Sequence, residues 1–346
     1  MMFQVNKLAN AFSAILGVGI IFCATLGVAN AQTLKTVKDR GALVCGVSQG
    51  LIGFSAMDEK GKWSGLDVDF CRAIASAVFN DPAKVEFVPL STADRFEALK
   101  SGKIDVLSRN STWAMGRELD FGVVFTGVTY YDGQGFLVPK AQNRTSALEL
   151  DGAKICVQAG TTSEANLADF FVANGMKLET VVVSSPAEAA SAYQDGRCTG
   201  ISSDVSQLHS ERLKMAKPGD HLVLPDIISK EPLGPAVRQE DMQWFNIVKW
   251  INFAMLNAEE LGVSSKTIDD ALRSQKPDVR RLVGLEEDFG TRLGLSGDWV
   301  TRIVRNVGNY GEVFDRNVGP NSKLDIPRGV NQNWNMGGIQ YAPPIR

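Results

Sequence analysis

The sequence predicts an α/β protein of two similar lobes that face a common cleft and are joined by two crossing strands. Three observations carry this. Residues 98–108 (ALKSGKIDVLS) and 192–202 (AYQDGRCTGIS) echo each other: each reads as a helix end, a Gly-centred turn followed by Lys or Arg, a short strand and a polar loop. The order strand, helix, strand, helix, strand runs once before residue 108 and restarts at residue 153, as expected for a mostly parallel sheet with helices on its faces. The loops after the echoed strands carry opposite charge, Arg109 and Arg117 in one and Asp204 in the other, so a zwitterion could be gripped between Arg117 and Asp204.

Taken in order, Lys7 precedes an apolar run over residues 11–28 that ends in Ala29-Asn30-Ala31, small residues at both positions that a signal peptidase reads. Residues 1–31 are therefore expected to be a cleaved leader, with Gln32 as the mature N-terminus; a retained anchor is the alternative, but the run is near the lower length for spanning. Cys23 lacks the preceding small residue of a lipoprotein signal, and no later stretch is long and apolar enough to cross a bilayer, so a soluble exported protein is expected.

The first lobe begins with a strand over residues 42–47 (ALVCGV), closed by Ser48, Gln49 and Gly50. After a turn around residues 58–62, Val68, Cys71, Ile74, Ala75 and Val78 keep helical spacing, and Asp67 lies near the helix start, where an acid suits the dipole. A strand over 85–89, a helix over 94–100 and a strand over 104–107 complete the unit. Residues 130–135 carry two glycines and no helical period, which predicts the first crossing strand. The second lobe repeats the plan: a strand over 153–157, a polar loop from Gln158 to Ser163, a helix over 164–171, a strand over 181–183, a helix over 186–194 and a strand over 198–201.

Residues 229–235 (SKEPLGP), stiffened by Pro232 and Pro235, are the second predicted crossing. The stripe Trp244, Ile247, Val248, Ile251, Met255 predicts a core helix, so Trp244 and Trp250 read as packing rather than aromatic recognition. The tail from residue 293 onward holds more helical pattern and a Gly-, Asn- and Pro-rich end, expected to wrap back over the first lobe. Residues 32–131 with 235–346 then form one lobe, and residues 132–234 the other.

Formal net charge is −3 with both signs spread along the chain, and no basic block or aromatic-basic stripe supports nucleic-acid binding. No Cys-x-x-Cys occurs and the two histidines, His209 and His221, lack ligand spacing, so neither a metal nor a cofactor is expected. Beyond the leader, Cys45, Cys71, Cys156 and Cys198 allow three pairings that sequence alone does not decide. One bridge per lobe, Cys45 to Cys71 and Cys156 to Cys198, is the favoured arrangement, with buried free thiols as the alternative.

Gly160-Thr161-Thr162 sits between a strand end and a helix start, where backbone N–H groups and hydroxyls welcome an anion, although a plain N-cap reads the same way. It gains weight from Arg117, whose guanidinium suits a two-toothed grip on a carboxylate. Asp204 could balance an ammonium. Ser48, Asn110, Thr112 and Thr161 would add neutral donors and acceptors; each alone is equally a turn residue, and the argument rests on the set.

These residues resemble the periplasmic solute-binding proteins of polar amino-acid ABC uptake systems. The resemblance runs through GLDVDFCRAIA at 65–75, ALKSGKIDVLS at 98–108, Arg117, CVQAGTTSE at 156–164 and DGRCTGISSD ending in Asp204. The NWNMGGIQYAPPIR end looks like the subgroup of general L-amino-acid-binding proteins. The resemblance implies the type II periplasmic binding protein fold, with two Rossmann-like lobes, a free L-amino acid as ligand, a membrane permease of an ABC importer as partner, a monomer, and the periplasm as location. It further implies that Arg117, with Thr112 and Thr162, holds the α-carboxylate, that Asp204 receives the α-ammonium helped by Asn110, and that Ser48 and Leu51 meet the side chain. Gln158 and Thr161 complete the expected ligand set.

Ser48 stands where basic-amino-acid binders place an acid, and Leu51 where they place an aromatic ring, which argues against a Lys or Arg specialist. Arg109 replaces a small polar residue and either favours acidic or neutral side chains or points away. Broad recognition is expected. An enzyme on the same fold, of dehydratase or lytic type, is the alternative; it needs a cleft acid or base, and Glu164 is the only extra carboxylate read near the threonine loop. A ligand-binding partner of a chemoreceptor would use the same closed form.

Overall fold

The computed structural model describes Thr33 to Arg346; the expected leader, Cys23 and Gln32 lie outside the described residues. Two five-stranded sheets of matching plan organise the chain. In the first the order is Val85–Pro89, Leu43–Val47, Val106–Leu107, Ala236–Arg238, Val123–Phe125. In the second it is Leu178–Val183, Ala153–Gln158, Gly200–Asp204, Gln134–Pro139, His221–Val223. The first three strands of each run parallel, and the fourth is antiparallel to both its neighbours. Between the sheets, Tyr130–Asp132 and Glu231–Leu233 pair antiparallel, with Asp132 opposite Glu231. This is the type II periplasmic binding protein fold.

The echo is structural as well as textual. Gly102 and Gly196 both turn the chain at positive φ, 76° and 72°, which a side chain disfavours. Three residues on, Asp105 and Thr199 occupy the same place, and each side chain accepts a backbone N–H from the neighbouring central strand: Val44 N at 2.8 Å and Lys154 N at 3.2 Å. A side chain thus takes the place of a ladder carbonyl. For that reason the strands start at Val106 and Gly200, not at 104 and 198 as the apolar pattern predicts, and Cys198 precedes its strand rather than lying on it. The helix expected over 164–171 starts earlier, as Thr162–Ala173, and the strand expected over 181–183 extends back to Leu178.

Both disulfides of the favoured pairing are present, Cys45–Cys71 and Cys156–Cys198, each tying a central strand to an element beside it. In the first lobe the bridge reaches Leu66–Phe79, an apolar helix buried along most of its length. Met242–Glu260 and Trp299–Asn306 pack beside it. Trp244 is fully buried and donates Nε1–H to Asp105 O at 2.9 Å, so packing, not recognition, accounts for it.

The tail does wrap the first lobe. Asn309 and Glu312 satisfy each other's backbone N–H groups in a capping box that opens Tyr310–Asn317. Phe314 of that helix stacks on Tyr130, and Arg328 pairs with Glu259 at 2.9 Å while lying over the Tyr310 and Phe314 rings. Beyond it, Asn331 accepts from Tyr131 N at 2.7 Å and donates to Tyr131 O at 2.9 Å, so the extension pairs the outer edge of the first crossing strand. At the second crossing, a Cβ on Gly234 would lie 1.9 Å from Gly127 O. This glycine is there for close approach, and its neighbours Pro232 and Pro235 hold it in place. No helix among the described residues is long and apolar enough to cross a membrane.

Candidate binding cleft

The C-terminal ends of the parallel strands in both sheets open onto one cavity of about 390 Å³. Ser48 follows Leu43–Val47, Thr92 follows Val85–Pro89, and Arg109 and Asn110 follow Val106–Leu107 from the first lobe. Thr161 follows Ala153–Gln158, Ser184 and Ser185 follow Leu178–Val183, and Asp204 ends Gly200–Asp204 from the second. All ten residues expected from the sequence, Ser48, Leu51, Arg109, Asn110, Thr112, Arg117, Gln158, Thr161, Thr162 and Asp204, line it.

Their side chains are engaged to very different degrees. Ser48 donates to Ser55 O and accepts from Ser55 Oγ and Leu51 N, which folds the loop that carries Leu51. Thr161 donates to Gln158 O at 2.7 Å, and Gln158 reaches across the cleft to Thr92 Oγ1 at 3.0 Å. Arg117, on Met115–Phe121, donates to Thr112 O at 2.6 Å, lies over the Phe96 ring and lines the cavity. Burial lowers its affinity for a proton, while Glu231 and Asp204 oppose that fall.

Arg109 lines the cavity but is tied to a neighbouring loop of its own lobe. Its Nε donates to Leu90 O at 3.0 Å and an Nη to Thr92 Oγ1 at 3.2 Å. Burial brings it down to about 10, against the attraction of Asp67. Asp67, read from sequence only as a first-turn helix acid, is fully buried under the same loop: it accepts Asn110 N at 2.8 Å and Ser108 Oγ at 3.1 Å. Burial raises it to about 6, those two bonds and Arg109 pulling the other way. The pair of bonds holds Asn110 at φ 30° with its Oδ1 buried and unpartnered.

Arg95 brings a third guanidinium to the cavity. It is 4% exposed, lines the cavity, and forms no ion pair among the described residues, with its Nε buried and without a partner. Burial, then the charges of Arg109 and Arg117, push its guanidinium well below the usual range, with Asp204 opposing. Sequence reading missed it because Arg95 opens the short helix Arg95–Lys100 and reads as part of an ordinary amphipathic turn.

Asp204 is its counterpart across the cleft. It stands at the N-cap of Val205–Lys214 without capping it, and its carboxylate accepts no hydrogen bond from the described residues. Burial, then Asp132 and Glu231, raise it well above the carboxylate range, with Arg117 and Arg95 opposing. Glu231 was also missed. It is a buried acid that accepts the hydroxyls of Thr112 at 2.5 Å and Thr162 at 2.9 Å, whereas Glu164 accepts Gly160 N. Among the described residues no cluster suited to a metal ion is present.

A two-lobed fold with fixed cations on one wall and an unpaired acid on the other defines a solute-binding protein. Residues 43–267 match the model of the bacterial extracellular solute-binding proteins, family 3, and the chain belongs to that family. The general L-amino acid-binding periplasmic protein AapJ of Rhizobium johnstonii is 52% identical, the match covering 99% of each chain. The glutamate/glutamine/aspartate/asparagine-binding protein BztA of Rhodobacter capsulatus is 47% identical over 96% of this chain and 99% of that one. A solved periplasmic binding protein of an ABC transporter from Brucella ovis, with glutathione bound, superposes with a TM-score of 0.89 at 51% identity, covering 91% of this chain and 99% of that one. These relatives are solute-binding transport proteins, not enzymes.

Proposed function

We propose that the protein captures free L-amino acids in the periplasm by closing its lobes and delivers them to the permease of an ABC importer, acting as a monomer released from its leader after Ala31. The single observation that carries this is the pairing of Arg117 on one wall with the unpaired, buried Asp204 on the other. Arg117 meets the α-carboxylate with Thr112 and Thr162, and Asp204 with Asn110 Oδ1 meets the α-ammonium. Thr161 and Gln158 shape the second wall. Closure results because a ligand bridging both walls stabilises only the closed state.

Specificity resides in Ser48, Leu51 and Arg95. Ser48 and Leu51 supply neither an acid nor an aromatic ring, so several classes bind, while the unpaired Arg95 favours the carboxylates and amides of Glu, Asp, Gln and Asn. Calorimetric titration against the L-amino acids tests both parts. Arg95→Gln should weaken Glu and Asp by about 10- to 100-fold, as loss of a hydrogen bond to a charged group does, and leave Ala and Leu within about threefold. Binding confined to one side-chain class rejects the broad reading; equal losses for Glu and Leu reject the role of Arg95.

The glutathione in the Brucella ovis neighbour favours a second reading. Ser184, Ser185 and Lys214 also line the cavity, and they would meet the remainder of a γ-glutamyl peptide whose α-amino-acid end sits between Arg117 and Asp204. Titration with glutathione beside glutamate decides it, since absence of binding removes this reading and leaves the first intact.

A further inference from the structure

Glu231 begins the second crossing strand and is 1% exposed. Its Oε2 accepts the hydroxyl of Thr112 at 2.5 Å and that of Thr162 at 2.9 Å; its Oε1 accepts Ser229 Oγ at 2.7 Å and Asn166 Nδ2 at 2.8 Å. Thr112 belongs to the first lobe's cleft loop, while Thr162 and Asn166 lie on the first helix of the second lobe. One carboxylate oxygen therefore joins a cleft residue from each lobe to the strand about which the lobes turn. The strand is held by its own pairing: Glu231 opposes Asp132, and Trp113 N donates to Pro232 O at 2.7 Å.

We propose that Glu231 is a positioning residue for closure, a shared anchor that pins Thr112 and Thr162 together and slows the lobes' reopening. Both threonine hydroxyl protons are given to Glu231, so the side chains of two cleft residues are fixed by one carboxylate. A ligand carboxylate at Arg117 then meets threonines whose placement depends on the Glu231 bonds. Glu231 reaches the ligand only through the threonines, so its effect is the same for every side chain. The amide of Glu231→Gln cannot accept all four hydrogen bonds, and the anchor loosens.

The inference rests on the amino-acid reading of the cleft, and the test separates the two. Stopped-flow and calorimetry on wild type and Glu231→Gln should show Kd about tenfold weaker, as expected for hydrogen bonds to a charged group. The loss should lie in koff, be equal for glutamate, alanine and leucine, and leave kon nearly unchanged. Thr162→Val should raise koff alike, and adding it to Glu231→Gln should cost little more, because both remove one contact. Small-angle scattering of the ligand-free protein should show a larger radius of gyration for Glu231→Gln than for wild type, whatever the ligand proves to be. A fall in Tm with koff and the radius unchanged, or fully additive effects, overturns the role of Glu231. Failure of wild type to bind any amino acid overturns the cleft assignment, and the ligand-free radius still decides the anchor. Should Glu231→Gln not fold, Thr112→Val, Thr162→Val and the double variant decide it: non-additive losses are expected, additive ones refute it.

Discussion

The echoed units share a glycine turn, a side chain that caps the central strand, and a short strand aimed at the cleft, yet the chain leaves the two strands in different ways. After Val106–Leu107 it makes a long loop in which Arg109 and Asn110 are tied down by Leu90, Thr92 and Asp67 before Arg117 is reached. After Gly200–Asp204 it enters a helix at once, and Asp204 is left with no partner among the described residues. One wall presents cations braced from behind, the other an acid awaiting its partner. The same scaffold therefore supplies a braced surface on one wall and an unpartnered acid on the other, the contrast that the proposed closing on a solute would use.

The hardest test of this contrast removes the braced cation. Arg117→Ala should cost about 2 to 5 kcal/mol for every amino acid, because the α-carboxylate is common to all. Isothermal titration showing one amino acid lost and another kept at native affinity would break the assignment. On the opposite wall, Asp204→Asn should weaken amino acids strongly yet spare a 2-hydroxy acid relative to wild type, since only the ammonium needs the charge. Equal losses for both ligand types would make Asp204 structural.

A smaller effect separates the two strand-capping side chains. Asp105→Ala strands the buried Val44 N–H and removes the partner of Arg40, so it should cost about 2 to 3 kcal/mol. Thr199→Ala, at an exposed position, should cost about 1 kcal/mol or less. Urea unfolding measures both, and equal values would undo the claim that the first unit is the more tightly braced.

Smallest is the dependence on pH. Burial raises Asp132 to about 6, so it takes up a proton as pH falls from 7 to 5, and burial raises its neighbour Asp204 in the same direction. Amino-acid affinity should fall over that range as negative charge beside the ammonium site is lost. The ligand-free fold should respond in the opposite sense. Its raised acids hold protons that the unfolded chain, with carboxylates near 3.8, still releases, so stability rises as pH drops through 6 and declines as it climbs back. Calorimetric Tm with and without ligand would show the ligand's increment shrinking toward pH 5; a constant increment would contradict it.

The sheets, the crossings and the place of all ten expected residues along the cavity were legible because the tips of parallel strands converge, so a loop's place after its strand locates its side chains. Asp67 and Glu231 were not, because their roles arise from contacts over long separations, and Arg95 was not, because it opens an ordinary short helix. Asp67 meets Asn110 across 43 residues and Glu231 meets Thr112 across 119, and no local pattern carries that. For Arg109 the sequence left two readings open, and its bonds to Leu90 and Thr92, which no local pattern announces, are what bear on the choice. The short strand starts failed differently, since a side chain in place of a carbonyl leaves the apolar pattern intact while shortening the ladder.

At the rim of the cleft, Ile52 N donates to Ser210 Oγ at 3.1 Å, Lys214 Nζ to Gly50 O at 2.9 Å, and Gln158 Nε2 to Thr92 Oγ1. The first two form a clasp of protein atoms alone, set on the loop after the first strand and one face of the helix Val205–Lys214. Such a clasp asks nothing of a solute: it ties the mouth of the cleft with the chain's own atoms, on the loop and the helix that border it.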